Sequence, residues 1–178
     1  APARVSPFTF SLARTEKSLT LGGFVPDEAA TATILAAAKP RFPNAEVEIG
    51  VERASGAPAA FTDVAVAAVQ AISRLSSGRA DLSDQSLTLA GAAVSEDARA
   101  AIEAALTAAV PKDFAFTSRT IVAVGGAPLS AAECQAALDE AQAAREIDFA
   151  DDKTIAPESF GFVDRLAAIV QRCPAARI

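Results

Sequence analysis

Phe8, Phe10 and Leu12 alternate with small or polar residues, and Leu19 and Leu21 alternate again after the polar stretch 14–17. A period of two on both sides of a polar turn predicts a two-stranded hairpin. Gly23 reads as the end of the second strand. Pro26-Asp27-Glu28 reads as a helix start, because proline is tolerated in a first turn and carboxylates suit the positive end of the helix dipole. Ala30, Ile34, Ala38 and Phe42 then recur every four residues, a stripe that would face a sheet. Pro43 is expected to stop that helix, and Val47, Ile49 and Val51 alternate as the next strand.

The pattern then returns. Ser18-Leu19-Thr20-Leu21-x-Gly23 reappears 68 positions later as Ser86-Leu87-Thr88-Leu89-x-Gly91, and Glu28/Glu96, Ile34/Ile102 and Pro43/Pro111 pair at the same offset. The second stripe is Ala98, Ile102, Leu106 and Val110, the second stop Pro111, and the second strand carries Phe114 and Phe116. Its alternation is displaced by one residue from that of the first copy, so the two helix-to-strand loops should differ by one residue to keep the same face inward. Two copies of one small folding unit follow from a gapless repeat of this kind. Gly23 and Gly91, shared by both, suggest a positive φ or a close backbone approach, and are read as fold determinants. They are not a phosphate loop, since no further glycines follow at the required spacing.

Between the copies, 54–58 reads as a turn and 61–76 as a helix with Phe61, Ala65, Ala68, Ile72 and Leu75 on one side and Gly78 as its stop. Strands are expected at 79–82 and 86–90. The second unit therefore reads α-β-β-α-β, and the first lacks the leading helix. Gly125-Gly126-Ala127-Pro128 is the best candidate linker. Beyond it, Ser130-x-x-Glu133 is a capping box opening a helix with Cys134, Leu138 and Ala141 on one side. A short strand at 147–149, an acidic loop at 151–153 and a second helix from Pro157 follow, with Phe162, Leu166, Ile169 and Cys173 on one face and Pro174 as the stop. Residues 176–178 look like the start of another strand. The fold class is thus α+β, a mixed α/β chain of three segments: 5–54, 58–124 and 129–178.

Composition changes this picture in two ways. Half the 178 residues are hydrophobic, but many are alanine, with ten Phe and no Trp, Tyr or Met, so thin layers of closely packed elements are expected. A net charge of −6 with scattered basic residues argues against nucleic acid and anionic lipid heads as partners. No apolar stretch is long enough to cross a membrane. The start at Ala1, without an initiator Met, reads as a processing or cloning boundary.

There is no histidine. That removes the commonest general base, the Ser-His and Cys-His pairs and most zinc sites, and the chain is read as non-enzymatic with no cofactor. Ser159-Phe160-Gly161 lacks the upstream glycine of a nucleophile elbow and reads as a first helical turn. Asp148, Asp151 and Asp152 lack the spacing of a calcium loop and read as a solvated turn; Asp81 and Asp84 flank a strand-to-strand turn. Lys39 and Lys112 complement helix C-termini. Cys134 and Cys173 occupy apolar-face positions of two helices in one segment. In an oxidising compartment they are expected to form a disulfide closing a loop worth about 4 kcal/mol on the chain-entropy model; otherwise they are two buried thiols.

The unit Leu-x-Leu-x-Gly, a helix of about four turns, Pro and then a strand resembles the BON domain, a small αββαβ module of bacterial envelope proteins that carries no catalytic residues. Cys134-x-x-x-Leu138, Ile147-Asp148-Phe149 and the helix ending Leu166-Ala167-x-Ile169-Val170-x-x-Cys173-Pro174 look like the opening of an OmpA-like peptidoglycan-binding domain. Together the resemblances imply the periplasmic side of a bacterial outer envelope, with tandem modules as spacers or docking units. They also imply peptidoglycan as the partner of residues beyond Ile178, so no peptidoglycan ligand falls on a numbered position. The other reading is a lipid- or protein-binding module acting through the repeated units.

Overall fold

The computed structural model describes residues 2–123 and 125–174. The hairpin pattern becomes β1 (Thr9–Arg14) and β2 (Ser18–Val25), followed by α1 (Glu28–Ala38) and β3 (Glu46–Arg53). After α2 (Phe61–Ser73) the sequence of elements repeats as β4 (Leu75–Ser83), β5 (Ser86–Ala93), α3 (Glu96–Ala109) and β6 (Ala115–Val122). The α+β class expected from the pattern is the one observed, and the second copy has the order α-β-β-α-β. Asp27 and Ser95 cap the paired helices, accepting from the amides of Ala30 and Ala98 at 2.7 and 3.1 Å.

The two copies share one sheet, in the order β3-β2-β1-β4-β5-β6. Each half is an antiparallel hairpin extended by a parallel strand reached through a helix, and the halves meet where β1 and β4 pair antiparallel. The register repeats with the sequence: Leu12 lies opposite Leu21, and their counterparts Ala80 and Leu89 lie opposite each other. In the outer strands Leu19 faces Val47 while Leu87 faces Phe116, so the second connection carries one more residue than the first; it is taken up in α3, which is longer than α1, and the loop after α3 is shorter, not longer, than the one after α1. One extra residue in the connection keeps the apolar positions of both outer strands on the inner face.

One helix serves both halves. α2 packs on α1, α3, β1 and β4 and is buried nearly all round, with Val64, Ala65, Ala68, Val69 and Ile72 inaccessible. Its alanines let the flanking helices approach, and Phe61 meets Phe8 and Phe10 edge-on at 5.3 and 5.4 Å.

Several boundaries differ from the expectation. α2 ends at Ser73 and the chain enters β4 at Leu75, so Gly78 lies inside a strand instead of stopping a helix. α1 ends at Ala38, and the residue just past its cap Lys39 is Pro40; Pro43 lies farther on in the turn before β3. Pro111 directly follows Val110, the cap of α3. Gly23 and Gly91 lie within β2 and β5, not after them. Val47 and Ile49 share a sheet face with Leu19 and Leu21 but remain 38% and 54% exposed, because β3 is an edge strand and only its Val51 reaches the core.

The third segment comprises α4 (Ala131–Ala144), a 3-10 turn (Pro157–Ser159) and α5 (Phe160–Gln171). The strand expected at 147–149 is reduced to a single bridge between Phe149 and Ile155. The strand start expected at 176–178 lies outside the described residues.

Candidate functional site

The capping box at Ser130 forms as the sequence predicts, with Ser130 and Glu133 each satisfying the other's backbone. It starts α4 so that Cys134, in the first turn, points at the end of α5. Cys134 and Cys173 are joined, with an Sγ–Sγ distance of 2.07 Å and Cα atoms 5.9 Å apart. The bridge ties the two helices into one unit. Among the described residues there is no free cysteine and no group of His, Cys, Asp or Glu that could hold a metal ion.

Gly23 and Gly91 have φ of +89° and +154°, a conformation that side chains disfavour. A Cβ on Gly23 would stand 2.4 Å from the Thr9 carbonyl oxygen, and one on Gly91 would stand 2.5 Å from that of Ser77. Both expected roles, positive φ and close approach, are therefore present at both positions. Asp84 takes φ +47° in the β4–β5 turn and its carboxylate accepts from the Phe8 amide at 2.7 Å. Asp151 accepts from the amides of Lys153 and Thr154, which holds its pKa below the ordinary value and makes it a turn residue. Ser159 is fully buried and its hydroxyl accepts from the Asp148 amide at 2.9 Å.

The third segment docks against the C-terminal end of α2. Gly161 sits so close to Ser73 that a Cβ there would be 2.3 Å from the Ser73 carbonyl oxygen. Arg74 pairs with Asp164 through two hydrogen bonds of 2.7 and 3.1 Å, both side chains being mostly buried. Asn44 donates to the Ala144 carbonyl at 3.2 Å, which brings the turn before β3 beside Arg145.

Five arginines gather at this junction. Arg14 is the last residue of β1 and shares the inward face of Phe10 and Leu12. Its Nη1 donates to the carbonyls of Ile72, Ser73 and Leu75, where α2 ends and the helix dipole is negative. Its guanidinium lies 5.3 Å from the Phe42 ring centre. Arg41 donates to Ala37 and stands 3.8 Å from Glu158; Arg145 stands 3.7 Å from Asp148. Arg165, one turn along α5 from Gly161, lies over Phe162 at 5.9 Å.

The carboxylates paired with these five are three: Asp148, Glu158 and Asp164. Positive charge is therefore in excess at the junction of a chain whose net charge is −6. Burial, with Arg165 nearby, pushes Arg14 down to about 10. Burial also lowers Arg165 and Arg41, and Arg145 adds to both effects, while Asp164 and Glu158 oppose them. Arg14 remains cationic at neutral pH.

A cavity of about 110 Å³ opens beside the junction, lined by Arg41, Gln70, Arg74, Ile102, Leu106 and Phe160 among others. A wider hollow of about 370 Å³ lies where the linker meets the end of α5, next to Arg172. By local pattern Arg14 belongs to a polar turn and the other arginines have no role. Two signals were available: Arg14 continues the inward phase of Phe10 and Leu12, and Arg165 falls between Phe162 and Ile169 at inward helical spacing. No family model matches the chain, and no curated protein matches it.

Proposed function

We propose that this chain is a non-enzymatic module of the bacterial cell envelope, in which the BON-like pair acts as a spacer or docking unit on the periplasmic side. In a protein that continues past Ile178, the OmpA-like C-terminal segment would tether the molecule to peptidoglycan. The observation that carries the reading is the joining of Cys134 to Cys173 in a segment with an OmpA-like opening, since structural disulfides belong to oxidising compartments. The fused sheet supports the spacer role, because shared pairing of β1 with β4 fixes the two repeats relative to each other. A gene product that carries this chain and continues past Ile178 should co-sediment with purified cell-wall sacculi. Its remaining in the supernatant would overturn the tether.

The second reading, docking of a protein or a lipid surface on the repeated units, is favoured by the exposed Val47 and Ile49 on edge strand β3. Their neighbours Glu46, Glu48 and Glu52 disfavour anionic lipid. Flotation with anionic and zwitterionic vesicles at low salt separates the two versions: a chain that does not float with either has a protein partner or none.

A further inference from the structure

We propose that the arginine cluster between the end of α2, the start of α5 and the turn before β3 is a binding site for a small soluble oxyanion, a phosphate or carboxylate group held by Arg14, Arg145 and Arg165. The elements that form it are fixed by contacts independent of any ligand. Arg14 and Gly161 both meet the Ser73 carbonyl, Asn44 holds Ala144, and the Asp148 amide is held by Ser159. These contacts bring β1, α5 and the stretch 144–148 to one place.

The donors there are not used up. Arg14 spends Nη1 on three carbonyls, and its Nε and Nη2 make no hydrogen bond to a described residue. Arg165 makes none, and the nearest carboxylate oxygen to Arg145 is 3.7 Å away, beyond hydrogen-bond length. The Arg145 side chain is nonetheless only 10% exposed. Partly buried guanidinium groups in excess of their carboxylates are unfavourable unless an anion joins them, and their planar forks suit the several oxygens of a phosphate or carboxylate. Asp148, Glu158 and Asp164 face the same junction, so the site has net attraction for about two negative charges, enough for hydrogen phosphate.

The test is titration of the whole 178-residue chain with inorganic phosphate, and separately with acetate, chloride being adjusted to hold the ionic strength constant. Arginine Nε–H resonances of Arg14, Arg145 and Arg165 should shift together and saturate with one of the two ions. The melting temperature should rise by roughly 5 °C at a hundredfold excess over Kd. Stronger binding of phosphate assigns a phosphoryl ligand, and stronger binding of acetate a carboxylate. R145Q and R165Q should each weaken binding about tenfold or more. R119Q, on the opposite face of the sheet, should leave it unchanged. No saturable shift in the unmodified chain up to about 50 mM of either ion, or equal binding by the R145Q/R165Q variant, overturns the site. The resonance shifts are read on the unmodified protein, so the outcome does not depend on the folding of any variant.

Discussion

Arg14 donates to the Ser73 carbonyl at 2.6 Å, so the end of the first strand caps the end of the central helix. The same nitrogen reaches the carbonyls of Ile72 and Leu75. A helix that turns into a strand within two residues has few amides left for its last carbonyls, and here a side chain 58 or more positions away adds donors to them. R14A should therefore lose about 2–4 kcal/mol of unfolding free energy, from the loss of a buried donor to the Ile72, Ser73 and Leu75 carbonyls and of the contact with Phe42. R14K should recover part of it, since an ammonium can reach a carbonyl but does not stack on a ring in the same way. Urea unfolding checks both. An R14A variant within about 0.5 kcal/mol of the parent would mean that water caps α2 equally well.

The paired glycines allow a controlled comparison. Gly91 faces Gly78 across the β4–β5 ladder, and Gly23 faces Phe10 across β1–β2, at positions 68 residues apart. G23A and G91A each combine a positive φ with a clash against a backbone carbonyl that cannot move, and should cost about 2–4 kcal/mol. G50A is the control: it sits in β3 with its nearest neighbour at 3.4 Å and no unusual φ, and should fall within about 0.5 kcal/mol of the parent. Equal effects at all three would place the role of Gly23 and Gly91 elsewhere than in local geometry.

The elements that were legible in the sequence are those in which one period dominates. Ile34 and Ile102, Leu21 and Leu89 carry helical and strand spacing twice over, and the one-residue displacement at Phe116 marks the extra residue of the second connection but not its place, which is in α3 and not in the loop. What was not legible depended on tertiary neighbours. The apolar alternation of Val47 and Ile49 resembles that of a buried strand, yet an edge position leaves it open, and nothing local to 46–53 encodes the edge. Gly78 looked like a helix stop because Leu75 completes the helical stripe of Ile72. The structure uses Leu75 instead to cover Gly78 and Gly91. Arg14 was hidden by its charge. Its counterpart at the repeat offset is Leu82, fully inside the core, and a comparison of the copies would have marked the arginine as an inward residue.

Removal of the disulfide should act locally. The loop between Cys134 and Cys173 spans 39 residues and lies wholly in the third segment, whereas the sheet and α1 to α3 have their own core. C134S/C173S should lose about 4 kcal/mol of the stability of that segment on the chain-entropy model. Amide exchange should accelerate in α4 and α5 and stay slow at Leu12 and Leu89 in the sheet centre. A uniform acceleration would show that the third segment and the sheet unfold as one cooperative unit.

Acid should weaken the start of α4 through one carboxylate. Glu133 accepts from the Ser130 hydroxyl at 2.7 Å and from the Ser130 amide at 2.8 Å, and both bonds hold its pKa below the ordinary value. The unfolded chain therefore binds a proton at a higher pH than the folded one. The stabilisation is complete above the ordinary glutamate value, near about 4.3, and is lost as pH falls through the lowered folded value. E133Q keeps the geometry of the capping box but cannot titrate. At pH 6 the parent should be the more stable of the two, and the gap should close as the pH is taken to 3. Glu96 and Asp151 are also held low, by Arg99 and by the Lys153 and Thr154 amides, but they titrate identically in both proteins and cancel from the difference. A gap that stays constant from pH 6 to pH 3 would mean that the charge on Glu133 contributes nothing and the cap works through its hydrogen bonds alone.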